Sequence, residues 1–188
     1  MIGPLLAACA AFVAPSTLDA VISVESGGNE LAIHDNSGAN PPSPRNLSDA
    51  IRTVEHLISV GHSVDIGLMQ INSRNLPALG LSVSQVFRPC ENIHAGASIL
   101  ASGFARALRA GRQGQDALQV ALSYYNTGSP LAGFENGYVA RYYIKVSPHE
   151  IRRWAGPSGQ FKKTTSPYQI ETEIEIPDDY FHQVSSGR

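Results

Sequence analysis

The chain has 188 residues, of which 43% are hydrophobic and 16% charged, with a formal net charge of −2. This length leaves room for one domain with a sizeable core and a tail, and the composition is that of a soluble globular protein, neither disordered nor polybasic. With no basic excess to neutralise phosphates, nucleic acid is excluded as an expected partner.

Residues 1–15 form an apolar N-terminal segment, read as a lead-in to the first helix or as the remnant of an export signal. Within it, "LAAC" around Cys9 resembles a bacterial lipoprotein processing site, although no Lys or Arg precedes the apolar run. The run is too short to span a bilayer and no later stretch is long enough, so no integral membrane segment is expected. Ser16 or Thr17 is placed to cap a helix over about residues 17–26, which Gly27 and Gly28 end. Residues 35–47, "DNSGANPPSPRNL", read as a loop. Ser48 and Asp49 then open a helix whose Ile51, Val54, Leu57 and Ile58 face inward until Gly61 stops it. "SVDIGLMQIN", residues 63–72, has no helical stripe and a central glycine. It reads as a short strand or extended turn leading to Asn72, a cap for a brief helix that ends near Gly80.

Pro89 sits just before a long helix of about residues 90–110, with Ile93, Ala97, Leu100, Phe104 and Leu108 at helical spacing. Gly111 and Gly114 break it, and from Gln115 another helix carries Leu118, Ala121, Leu122 and Tyr125. Residues 126–137, "NTGSPLAGFENG", are a glycine-rich loop, and 138–146 a final short helix with Tyr138, Tyr142 and Tyr143 available to pack. Residues 147–188 read as a linker and a flexible tail; the alternation over 170–176 is able to add a strand to another element.

Cys9 and Cys90 show no metal-ligand spacing and are either one bridge or two buried thiols, with only an oxidising compartment favouring the bridge. The six histidines are scattered without paired ligand spacing, so no metal is expected. No phosphate-cradling glycine loop lies between a strand and a helix, and no cofactor is expected.

Glu25 is the first residue with chemistry to explain. Counted from Leu18, the positions Leu18, Val21, Ile22 and Glu25 share one helical stripe, which aims a carboxylate at the core. A buried carboxyl resists ionisation, and one that stays protonated near neutral pH is a general acid of the kind that protonates a glycosidic oxygen. Met69, Gln70 and Asn72 lie beside the flexible Gly67, in a segment suited to hydrogen bonds with sugar hydroxyl and acetamido groups. Tyr125 and Asn126 end a second amphipathic helix and bring a phenol and an amide. Taken singly, Met69 is a core filler, Tyr125 a buried tyrosine and Asn126 a helix cap.

The order "VESGG", "GLMQIN", "SYYNTG", followed by "GYVARYYIKV", resembles the catalytic domain of soluble lytic transglycosylases, members of the lysozyme-like superfamily. "FRPCENIHAGASIL" and "ALSYYNTG" are most similar to the specialised transglycosylases encoded with type IV secretion and conjugation systems. The resemblance covers about residues 9–146 and implies a mainly α, lysozyme-like (goose-type) helical domain over 16–146, with a glycan groove and a minor extended segment. It implies that Glu25 is the single catalytic acid and then base, that Ser26 helps orient the site, and that Met69, Gln70 and Asn72 line the groove. It pairs Tyr125, within hydrogen-bonding reach of Glu25, with Asn126; helical spacing and the adjoining Asn126 favour Tyr125 over Tyr124.

The implied reaction cleaves the β-1,4 bond between N-acetylmuramic acid and N-acetylglucosamine, with the muramic 6-hydroxyl as nucleophile and a 1,6-anhydro product. A muramidase that uses water needs a second carboxylate, for which Asp35 and Asp65 are the nearby acids; both are expected to be structural. The other alternative is a catalytically silent peptidoglycan-binding scaffold. The resemblance also implies a periplasmic location, peptidoglycan as partner, and contact with a secretion apparatus through residues 147–188.

Overall fold

A computed structural model describes residues 3–143 and 171–175, which are mainly helical with one small antiparallel sheet. The stretches 144–170 and 176–188 lie outside the described residues, and with them most of the expected tail and the end of the last expected helix. The described residues fall into two compact units, one of 3–11 and 21–97, the other of 12–20, 98–143 and 171–175.

The first unit begins with α1 (Gly3–Cys9), a separate helix within the expected lead-in. The last turns of α2 (Pro15–Glu25) follow, then β1 (Ile33–Asp35), α3 (Leu47–Ser59), β2 (Val64–Ile66) and β3 (Ile71–Asn72). A 3-10 turn Ser73–Asn75, α4 (Leu76–Leu79), α5 (Val83–Val86) and the first turns of α6 (Pro89–Arg109) complete it. The strands run in the order β1-β2-β3, with Ile33 opposite Ile66, His34 opposite Asp65, and Asp65 opposite Asn72. Pleating sends Val64 and Ile66 into the core with Ile71, and turns Asp65 to the other face. Part of the segment read as loop from Asp35 is therefore strand.

α3 packs on β1, β2 and α5, burying Ala50 and Val54. Its cap is Asn46, whose side chain accepts from the Asp49 N–H at 2.9 Å, so the helix starts before Ser48. Ile51 and Leu57 are half-buried, and Ile58, in the last turn, is exposed rather than inward. Cys9 and Cys90 are joined, with Cα atoms 5.0 Å apart, tying α1 to the start of α6. That resolves the choice between a bridge and two thiols. Asn72 does cap the 3-10 turn, accepting from Arg74 N–H at 3.0 Å, and Gly80 ends α4 in a left-handed conformation.

The second unit holds the rest of α6, α7 (Gly114–Thr127), α8 (Ala132–Glu135) and α9 (Ala140–Tyr143). Leu100 and Phe104 are buried as the spacing predicts, whereas Leu108 faces solvent where α6 runs out. Gly103 lets α7 come close: a Cβ there would lie 3.0 Å from the Ala121 carbonyl oxygen. α2 starts at Pro15, and neither Ser16 nor Thr17 caps it. The Ala14 carbonyl accepts from the Thr17 and Leu18 N–H groups, while the Thr17 hydroxyl donates to the Glu171 carbonyl at 2.6 Å. Residues 171–175 form an antiparallel bridge at Val13–Ile174, with Ala14 N–H donating to Glu173 O and Glu175 N–H to Phe12 O. Ile174 is buried, so this part of the expected tail is fastened to the domain.

Candidate functional site

Glu25 is the last residue of α2 and is half-buried, so its carboxyl is less enclosed than the stripe of Leu18, Val21 and Ile22 predicts. The chain turns away immediately because Gly27 and Gly28 both take positive φ, 61° and 84°. Ser26 closes the helix end: its N–H reaches Ile22 O at 3.0 Å, and its hydroxyl accepts from Gly28 N–H at 3.2 Å.

The turn over Gly67–Gln70 is the most constrained part of the first unit. Gly67 has φ 77° and donates its N–H to Ala32 O at 2.8 Å. Gln70 is also left-handed at φ 49°, an uncommon conformation for a residue with a Cβ. Its N–H donates to Gly67 O at 3.2 Å, and its side-chain Nε2 donates to the same oxygen at 2.9 Å. Met69 is fully buried, so its side chain is core in this structure rather than surface. The physical reason is room on α6: a Cβ on Gly96 would stand 2.5 Å from Met69 Sδ.

Asn72 is engaged internally. Its Nδ2 donates to Asp65 Oδ1 at 2.7 Å and to Ser63 Oγ at 2.9 Å, while Oδ1 serves the 3-10 turn. Asp65 accepts a second bond, from Asn36 Nδ2 at 2.8 Å. Asp35 is 4% exposed, accepts from Ser37 N–H at 2.8 Å and faces His62 Nδ1 at 2.7 Å. The Ser37 N–H holds its carboxyl below the usual range, burial opposes this, and His62 adds to the lowering. Both aspartates thus have positions in the strand framework.

In the second unit Tyr125 and Asn126 sit near the end of α7, Tyr125 half-buried and Asn126 exposed, where its Oδ1 accepts from Asn136 Nδ2 at 2.9 Å. Tyr124 faces α6, with the Arg106 guanidinium 3.9 Å from its ring centroid. Ser123, fully buried, donates to Ser129 O at 2.7 Å and accepts from Gly133 N–H at 2.9 Å, clamping the glycine-rich loop into a form that includes α8. Ser123 was not among the residues singled out, and neither was Asn92. Asn92 is 1% exposed; its Oδ1 accepts from Met69 N–H at 2.8 Å, and its Nδ2 donates to Ile66 O at 2.9 Å and Val86 O at 2.8 Å. One signal existed for it: a polar residue four positions before Gly96 on a helix face that is otherwise apolar or small.

Among the described residues no group of three or more His, Cys, Asp and Glu is arranged to hold a metal ion, and no helix is long and apolar enough to cross a membrane. Protein VirB1 of Agrobacterium fabrum is 42% identical over 133 residues, 71% of this chain and 54% of that protein. Type IV secretion system protein VirB1 of Brucella abortus is 38% identical over 128 residues, 68% of this chain and 54% of that protein. The chain therefore spans about half the length of these relatives. No solved structure matches it significantly. Residues 6–142 match the transglycosylase SLT domain, nearly all of the first described stretch, and the chain belongs to that family.

Proposed function

We propose that the chain is a peptidoglycan lytic transglycosylase that works with one carboxyl group, Glu25. The observation that carries the choice of mechanism is the engagement of Asp35 and Asp65. A hydrolase of the two-carboxylate kind needs a second acid to act as nucleophile or to activate water. The two acids available for that part are bonded to Ser37 and His62, and to Asn36 and Asn72. Glu25 stands in the last turn of α2 and is half-buried.

In this reading Glu25 gives its proton to the glycosidic oxygen as the bond from muramic C1 breaks. The resulting carboxylate then takes the proton of the muramic 6-hydroxyl as that oxygen closes on C1. Water is neither consumed nor released, and the acid is restored. Gln70 and the turn that holds it contribute to the glycan groove, Asn72 braces it, Ser26 shapes the end of α2, and Tyr125 with Asn126 supplies the phenol and amide.

A place in the periplasm fits a peptidoglycan substrate and the Cys9–Cys90 bridge, which persists in an oxidising compartment. The names of the relatives support service to a type IV secretion apparatus, by local opening of the wall. The test is a digest of purified peptidoglycan by wild type and Glu25→Gln, read by mass spectrometry. Glycan ends one water lighter than reducing ends, absent with Glu25→Gln, are expected. Binding without any cleavage by the wild type would instead support the scaffold alternative.

A further inference from the structure

One face of α6 receives Gly67 and Met69 of the Gly67–Gln70 turn. Asn92 and Gly96 are four residues apart and so lie one above the other on that face. Gly96 leaves the space that Met69 fills, and Asn92 reaches across to three backbone groups: Met69 N–H, Ile66 O and Val86 O. The approach is close enough that a Cβ on Gly67 would collide with the Asn92 amide. Gln70, next in the chain, sits in a left-handed conformation at φ 49°. A non-glycine residue stays in such a region only where its surroundings over-determine it. Here the determinants are the Gly67–Ala32 bond, the two bonds from Gln70 to Gly67 O, and the Asn92 grip on the residue between. The Asn92 helix turn is itself anchored two residues earlier by the bridge from Cys90 to Cys9.

We propose that Asn92 is a positioning residue for glycan binding, which keeps Gln70 presented in its left-handed conformation; this rests on the glycan-cleaving reading above. Without the Asn92 side chain the Met69 N–H loses its bond to the Asn92 amide oxygen, and Gln70 relaxes toward a right-handed or extended conformation. Glycan then binds a turn that must first be reordered, so affinity falls while the acid chemistry at Glu25 is untouched.

The experiment measures kcat and KM on soluble, uncrosslinked peptidoglycan strands for the full chain, Asn92→Ala and Val54→Ala, together with hydrogen exchange at Met69 and Gln70. Val54→Ala removes core volume from α3 in the same unit and alters no hydrogen bond of the turn. Asn92→Ala is expected to raise KM about tenfold with kcat within about threefold, and to lose protection at Met69 N–H, while Val54→Ala lowers stability with KM unchanged. Equal KM values for wild type and folded Asn92→Ala would overturn the proposal. If Asn92→Ala does not fold, Gly67→Ala, which pushes on the Asn92 amide from the turn, is expected to raise KM in the same way, and an unchanged KM there overturns it. A wild type that neither binds nor cleaves the strands would overturn the glycan reading itself. Loss of Met69 protection in Asn92→Ala would still be visible in that case, which separates the two failures.

Discussion

Tyr124 and Tyr125 are neighbours on α7 with different surroundings. The Tyr124 ring lies under Arg106 of α6, a packing role that needs the ring and not the hydroxyl. Tyr125→Phe is therefore expected to lower the rate of glycan cleavage by about 10–100-fold, and Tyr124→Phe to change it far less. Steady-state rates of both variants on the same glycan strands check this, and equal losses would transfer the role to Tyr124. The residues Glu25, Gln70 and Tyr125 of the proposed site were suggested by ordered motifs. Asn92 and Ser123 were not, because each acts on backbone groups far from its own motif: Asn92 on residues 66, 69 and 86, Ser123 on 129 and 133. Met69 shows the reverse. Its motif suggested a groove, and the space left by Gly96 made it core.

Elements with several turns were legible because their apolar spacing is long enough to establish a period: α3, α6 and α7 lie where the stripes predict, to within a residue or two at their ends. β1, of three residues, is too short for alternation to register, whereas β2 and β3 fall within 63–72, which the sequence marks as extended. α1 was hidden because an apolar run offers no contrast between faces, and α5 because it is one turn whose signal is the Ser82–Gln85 capping box. The bridged segment at 171–175 shows why a local pattern is insufficient. Its alternation was readable, but its partner, Val13, lies at the other end of the chain. Ile174→Asp places a charge in a buried position and is expected to detach this segment. Hydrogen exchange reads it directly: protection of Ala14 and Glu175 N–H should be lost, with α7 unaffected. Retained protection at both would mean that the backbone bonds hold without the side chain.

Across the molecule, the carboxyl groups with lowered titration are other than the one proposed for catalysis. Asp49 is lowered to about 2, chiefly by its hydrogen bond with the Arg45 side chain, and Asp35 is lowered chiefly by the Ser37 N–H. A carboxylate lowered on folding contributes stability that is present above its unfolded value of about 4 and lost as pH falls through its folded value. Urea unfolding midpoints are therefore expected to fall from pH 5 to pH 2, and Asp35→Asn to flatten part of that fall. A midpoint independent of pH over this range would contradict both assignments. The bridge of Cys9 to Cys90 closes a separation of 81 residues and restricts the unfolded chain by about 4–5 kcal/mol on the chain-entropy account, an upper figure. None of these groups is asked to take part in catalysis. In the proposed mechanism Glu25 is, and a single carboxyl group that uses no water leaves a distinct mark on the product. The decisive measurement is reduction of a peptidoglycan digest with sodium borodeuteride, followed by mass spectrometry of the newly formed muramic ends. The expected ends take up no deuterium, because a 1,6-anhydro ring has no reducing carbon. Deuterium at each new end would show that water had been the nucleophile, and would contradict a mechanism built on Glu25 by itself.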